Sequence, residues 1–263
     1  MKLDLRELCA GYGSRNVIDR LTLSVAAGEI ITFIGMNGCG KSTLLKTVAR
    51  ILKPRAGGVY LDMESVHKMD TFKLAKRLAA LPQVHGTPED ATVRQLVEYG
   101  RFPHCGTWRS LSAHDHEKVD EALAMTHMEL LADRRLSNLS GGERQRAWIA
   151  MTLAQEPEIL LLDEPTTFLD VCSQFEITEL VRHLKRELHL TVLMVLHDLN
   201  LAARCSDCLA AIRNGRILHV GSPREIMTPE ILREVFDIDS EVLFAQDGVP
   251  YFIPVGSCRE GKR

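Results

Sequence analysis

Eight consecutive residues, Gly35-Met36-Asn37-Gly38-Cys39-Gly40-Lys41-Ser42, followed by Thr43, fit the pattern G-x-x-x-x-G-K-[ST] without a mismatch, and that pattern leaves a chain few ways to fold. It requires a buried strand leading in and a helix leading out. The apolar run from Ile30 to Ile34 supplies the strand, and the helical spacing from Thr43 to Arg50 supplies the helix. Glycines at 35, 38 and 40 let N–H groups approach an anion closely, and the helix adds its positive end. Lys41 is expected to reach the β- and γ-phosphates of a nucleotide as a compact point charge, and the Ser42 hydroxyl to hold Mg²⁺ beside the same oxygens.

Composition narrows the function classes. The 263 residues suit one large domain or a core with a subdomain, and 32 basic against 35 acidic residues give a formal net charge of −3. Basic residues are scattered, which argues against a nucleic-acid partner held by a broad positive surface. The longest apolar runs, such as Leu190 to Leu196, fall far short of the ~20 residues a membrane span requires. The first residues alternate like a strand without the apolar centre of a signal peptide, so the expectation is a cytoplasmic protein. The seven cysteines are dispersed, and no second C-x-x-C joins Cys205 and Cys208 to complete a zinc site. Packed free thiols are expected there. Cys39 is set apart by its place near a helix N-terminus, where a thiolate is favoured, and its oxidation is expected to block nucleotide binding.

Alternation predicts strands over Leu3 to Leu8 and Leu21 to Val25, with the turn Gly11-Tyr12-Gly13 placing an aromatic where it can stack on a base. Further on, Val59 to Leu61 reads as a short strand, and Gln83 closes another. From Thr92 to Ala154 the apolar spacing is helical throughout. The histidines of this insert, 104, 114, 116 and 127, are expected to be solvated, since residues two apart on a helix do not face each other. Leu139-Ser140-Gly141-Gly142-Glu143 starts a helix near the end of the insert. A capping box accounts for Ser140 and Glu143, but two glycines in a first turn weaken a helix unless something must approach the backbone closely. The run from Ile159 to Leu162 reads as a strand buried on both faces, as in a parallel sheet. It ends in Asp163 and Glu164, two carboxylates that are costly at a buried strand tip unless a cation or proton transfer compensates them. Asp163 is expected to face Mg²⁺ and Glu164 to polarise the attacking water. A helix over 170 to 188, a buried strand over Thr191 to Leu196 with His197 at its end, a hairpin through Asn214-Gly215 and a final hairpin around Asp247-Gly248 complete the pattern.

Taken in order, these pieces resemble the nucleotide-binding subunit of an ATP-binding cassette transporter over essentially the whole chain. The resemblance rests on the phosphate loop, on Gln83 as the Q-loop residue, on Leu139 to Glu143 as the signature, on Ile159 to Glu164 as the Walker B strand, on Asp170 in the D-loop and on His197 as the switch histidine. It implies an α/β fold: a P-loop NTPase core with a parallel sheet, an antiparallel β subdomain and a helical signature subdomain. The expected division is core 1–83 and 155–230, helical subdomain about 84–154 and C-terminal extension about 231–263. The resemblance also implies ATP and Mg²⁺ as ligands, with Ser42, Gln83 and Asp163 on the metal, Glu164, His197 and Gln83 in catalysis, and Tyr12 on adenine. It implies a head-to-tail homodimer in which each signature meets the partner's ATP, integral-membrane permease subunits, indirectly a substrate-binding protein, and a place on the cytoplasmic face of the bacterial inner membrane. Thr92 to His104, Arg146 to Met151, Asp163 to Asp170 and Val195 to Asn200 resemble ferric-siderophore importer ATPases, and cobalamin and haem importers somewhat less. Glu143 departs from the Gln of many members and keeps the capping box. A soluble non-transport ATPase fits less well, because the insert between Lys41 and Ser140 holds neither a long coiled coil nor a second cassette.

Overall fold

The computed structural model describes residues 2–83, 90–106 and 110–258 and divides into two compact units, Met1–Lys68 with Val192–Arg263, and Met69–Thr191. Parts of the expected helical subdomain and C-terminal extension, 84–89, 107–109 and 259–263, lie outside the described residues. The first half of the chain runs β1 (Leu3–Tyr12), β2 (Arg15–Val25), β3 (Ile30–Ile34), α1 (Lys41–Val48), β4 (Ala56–Leu61), β5 (Glu64–Ser65), α2 (Thr71–Ala75), β6 (Leu78–Leu81), α3 (Val93–Tyr99), α4 (Phe102–Cys105) and α5 (Ala113–Met125). It continues with α6 (Gly141–Ala154), β7 (Ile159–Asp163), α7 (Val171–Leu188), β8 (Thr191–Val195), α8 (Leu199–Cys205), β9 (Cys208–Arg213), β10 (Arg216–Gly221), α9 (Pro223–Ile226), α10 (Pro229–Phe236), β11 (Ile238–Phe244) and β12 (Pro250–Ser257).

In the first unit β3 lies between β8 and β9 and is parallel to both, with Ile30 opposite Val192 and Ile31 opposite Cys208. All five residues of β3 and of β8 are buried, which is why both read as unbroken apolar runs. β10 pairs antiparallel with β9 through a turn in which Asn214 and Gly215 both take positive φ, as an Asn-Gly hairpin requires. A second, antiparallel sheet has the order β2-β1-β4-β5. Strands β1 and β2 are longer than their alternation predicts. Their register shifts between Leu5 and Leu8, and again up to Gly11, so the period of two is lost while the pairing goes on.

In the second unit β6 and β7 are parallel, Leu78 opposite Ile159. Helix α6 packs against α3 and α5, burying Ala147, Trp148, Ile149, Ala150 and Leu153. Three of the helices here start with reciprocal capping boxes: Thr92 with Gln95, Ser112 with Asp115 and Ser140 with Glu143. The buried Arg101 joins them. Its Nε donates to Asp115 Oδ1 at 2.9 Å, and one terminal nitrogen donates to Ala154 O at 2.6 Å and Glu156 Oε2 at 2.7 Å. The fold is therefore α/β, with parallel strands, a separate antiparallel sheet and a helical part.

Candidate functional site

In the first unit the phosphate-loop pattern stands where β3 ends and α1 begins. Gly35 has φ 149°, and a Cβ there would lie 2.2 Å from the carbonyl oxygen of Ile212, so no other residue fits. Gly40, the residue before α1, has φ 115° and gives the helix no side-chain cap, and the first turn of α1 carries no acidic residue. Helices α3, α5, α6 and α7, by contrast, are each capped by a side chain. Lys41 is buried at 5% exposure, with Nζ donating to Gly35 O at 2.8 Å and Met36 O at 3.2 Å. A buried ammonium held by carbonyls beside a helix start without side-chain cap or acid is a setting that favours an anion. Ser42 is half-buried at that helix start, Tyr12 is half-exposed at the end of β1, and His197 is exposed just after β8.

Cys39 differs from expectation. It is buried, and although Lys41 lies nearby, burial pushes its thiol above the ordinary value. Loss of solvent outweighs the helix end and the ammonium, so the thiol form is favoured at Cys39 and not the thiolate that its place in the loop predicts. Cys205 and Cys208 are buried free thiols, as expected, and burial pushes Cys208 up to about 11. Of the histidines in the insert, 114 and 116 lie on the exposed face of α5, whereas His104 is half-buried and its Nε2 pairs with Gln155 O at 3.0 Å.

The second unit carries the carboxylates. Asp163 is the buried last residue of β7, and Glu164 follows it with φ 55°, a left-handed conformation that non-glycine residues avoid and that collects at functional sites. Gln83 Nε2 donates to Glu164 Oε2, so two residues 81 apart in sequence meet. Thr167 Oγ1 donates to the same oxygen at 3.0 Å. Sequence reasoning gave Thr167 no task, although Pro165 ahead of it marks the turn that brings it back.

At the start of α6, Ser140 Oγ accepts from Glu143 N at 3.2 Å and Glu143 Oε2 accepts from Ser140 N at 2.8 Å. That backbone donor holds the Glu143 carboxyl below its usual range. The two glycines have neighbours within the chain: a Cβ on Gly142 would lie 2.9 Å from Ser173 Oγ, and one on Gly141 3.1 Å from Leu169 Cδ2. Part of the close approach inferred from sequence is thus the packing of α6 against the start of α7. Asp170 caps α7, accepting from Ser173 N and Ser173 Oγ, each at 2.9 Å. Leu139, the residue before Ser140, is buried. Among the described residues no group of three or more His, Cys, Asp or Glu could hold a metal. A Mg²⁺ ion does not require one, since it is commonly held by one or two carboxylates together with substrate phosphates.

The model of the ABC transporter family matches residues 18–167, more than half of the chain and a span that includes the phosphate loop, Gln83, the capped glycines and Glu164. The iron(3+)-hydroxamate import ATP-binding protein FhuC of Bacillus subtilis (strain 168) is 48% identical over 241 residues, 92% of this chain and 90% of that relative. Among solved structures, an inward-facing ABC transporter assigned to the metal-chelate type matches with a TM-score of 0.84 at 27% identity, covering 96% of each chain. A dimeric post-hydrolysis structure of the ATP-binding cassette MJ0796, with ADP and Pi bound, matches with a TM-score of 0.71 at 27% identity, over 84% of this chain and 98% of that one. On the loop geometry, the carboxylate pair and these matches, the chain belongs to the ABC transporter family of ATP-binding proteins.

Proposed function

We propose that this chain is the ATP-hydrolysing subunit of a bacterial importer for iron(III)–siderophore complexes, acting as a homodimer on permease subunits in the inner membrane. The observation that carries the reading is the anion setting at α1, where a buried Lys41 is held by loop carbonyls and the helix start is uncapped by any side chain. The iron(3+)-hydroxamate name of the relative at 48% identity supports the cargo class, and the dimeric cassette with ADP and Pi supports the assembly. The expected division into core, helical subdomain 84–154 and extension 231–263 is kept as part of this reading.

Each residue then has a task. Tyr12 stacks on the base, and the N–H groups from Gly35 to Thr43 with the Lys41 ammonium cradle the phosphates. Ser42, Asp163 and Gln83 offer the oxygen donors that Mg²⁺ prefers. When bound, Mg²⁺ neutralises charge on the phosphate oxygens. Glu164 accepts a proton from the attacking water, and His197 donates to the phosphoryl group. Leu139 to Glu143 of a second copy present the start of α6 to the nucleotide, with Asp170 holding the adjoining helix. The reading is tested in proteoliposomes holding the chain with its cognate permease: ATP should drive uptake of a radiolabelled ferric hydroxamate, and Glu164→Gln should abolish it. Hydrolysis without uptake of any ferric siderophore would overturn the cargo assignment.

A further inference from the structure

The turn after β7 explains how a carboxylate in an unfavourable backbone conformation keeps its side chain in one place. Pro165 is the second residue of a four-residue turn from Glu164 to Thr167, the position its fixed φ suits best. The turn closes with Thr167 N donating to Glu164 O at 3.2 Å. Closure carries the threonine side chain back to the residue that opens the turn, and its Oγ1 donates to Glu164 Oε2 at 3.0 Å. Gln83 Nε2 reaches the same oxygen from beyond the end of β6.

We propose that Thr167 is a positioning residue for hydrolysis: its hydroxyl fixes the Glu164 carboxylate in the rotamer that meets the attacking water. This rests on the reading of Glu164 as the group that accepts the proton of that water. The two donors are not equivalent. Gln83 has a second proposed duty on Mg²⁺, for which only its carbonyl end serves, while its NH₂ end serves Glu164. Thr167 is tied to Glu164 by the turn itself, so its hold is independent of what the Gln83 amide does. A hydroxyl hydrogen bond to a charged group is among the stronger neutral-donor contacts. Losing it frees the carboxylate to sample other rotamers, which lowers turnover without touching the residues that cradle the nucleotide.

The test compares Thr167→Val, which keeps the shape and removes the hydroxyl, with Thr167→Ser, which keeps the hydroxyl. With the full chain, Thr167→Val should lower kcat roughly tenfold, with KM for ATP and equilibrium affinity for a non-hydrolysable ATP analogue unchanged within about twofold. Thr167→Ser should restore most of the rate. In a Glu164→Gln background, adding Thr167→Val should cost nothing further, because the group it positions is already gone. Wild-type kcat in Thr167→Val, equal losses in the Val and Ser variants, or a full further loss in the double variant would each overturn the proposal. Analogue binding by Thr167→Val reports that it has folded. Near-normal turnover of Glu164→Gln alone would overturn the role of Glu164, whereas a slow Glu164→Gln beside a normal Thr167→Val overturns only the positioning role.

Discussion

At the scale of single residues, the most consequential charge outside the phosphate loop is the buried Arg101. It is 1% exposed, and Asp115, Ala154 and Glu156 supply its acceptors. Asp115 is itself held far below the ordinary carboxylate range, first by the Ser112 hydroxyl and backbone donors and then by the guanidinium. Asp115→Asn should destabilise the protein at neutral pH by about 1–3 kcal/mol, since it weakens a charged hydrogen bond to Arg101 and leaves Glu156 as the carboxylate that still pairs with the buried guanidinium. The sign of the pH dependence follows from the depressed value. The contribution is complete above the unfolded carboxylate's pKa of about 3.9 and is lost as pH falls from there through the folded group's more acid one. Urea unfolding of both proteins should therefore show the gap between them at pH 7 narrowing as the pH is lowered below about 4. The S-x-x-D spacing of Ser112 and Asp115 is visible in the sequence, but Glu156 is 55 residues from Arg101, and no local pattern links them.

At the scale of elements, the start of α6 is the corner where local sequence and packing meet. The capping box was legible because its two partners are three residues apart. The reason for two glycines was only half legible: the need for close approach could be inferred, the identity of the neighbour could not. Ser173 Oγ is fixed by its bond to Asp170 Oδ2, so it does not turn aside at no cost. Gly142→Ala gains helix propensity of up to about 1 kcal/mol but overpacks against Ser173 at a cost of about 1–3 kcal/mol. The expected net result in chemical denaturation is a destabilisation of about 1 kcal/mol. Adding Ser173→Gly should recover part of it, whereas additive losses would show that the two residues do not meet. Short elements such as α2, five residues capped by Asp70 on Lys73 N at 2.9 Å, and β5, two residues, escaped the sequence pattern because neither is long enough to show a period.

At the scale of the whole molecule, none of the helices among the described residues is long and apolar enough to cross a membrane. The proposed assembly adds a second copy. Phe168 at 95% exposure and Val171 at 83% flank Asp170 with apolar surface turned outward, which suits burial against a partner. Glu164→Gln with ATP should elute as a dimer in size-exclusion chromatography with light scattering, because nucleotide is bound and not consumed. The wild-type chain with ADP should elute as a monomer, and a Glu164→Gln variant that stays monomeric at saturating ATP would contradict a nucleotide-driven sandwich. What sequence alone determined is whatever is encoded within a few residues or by a fixed period: the phosphate loop between strand and helix, the buried strands β3, β7 and β8, the capping box of Ser140 and Glu143, and the Asn214-Gly215 turn. What only the tertiary structure decided is whatever depends on residues far apart or on solvent removal. Gln83 meeting Glu164, Ser173 against Gly142, the acceptors around Arg101, and the burial that raises the Cys39 thiol all belong there. The physical reason is common to them: hydrogen bonds at a distance and the loss of water are properties of the packed chain, and no short stretch of residues contains them.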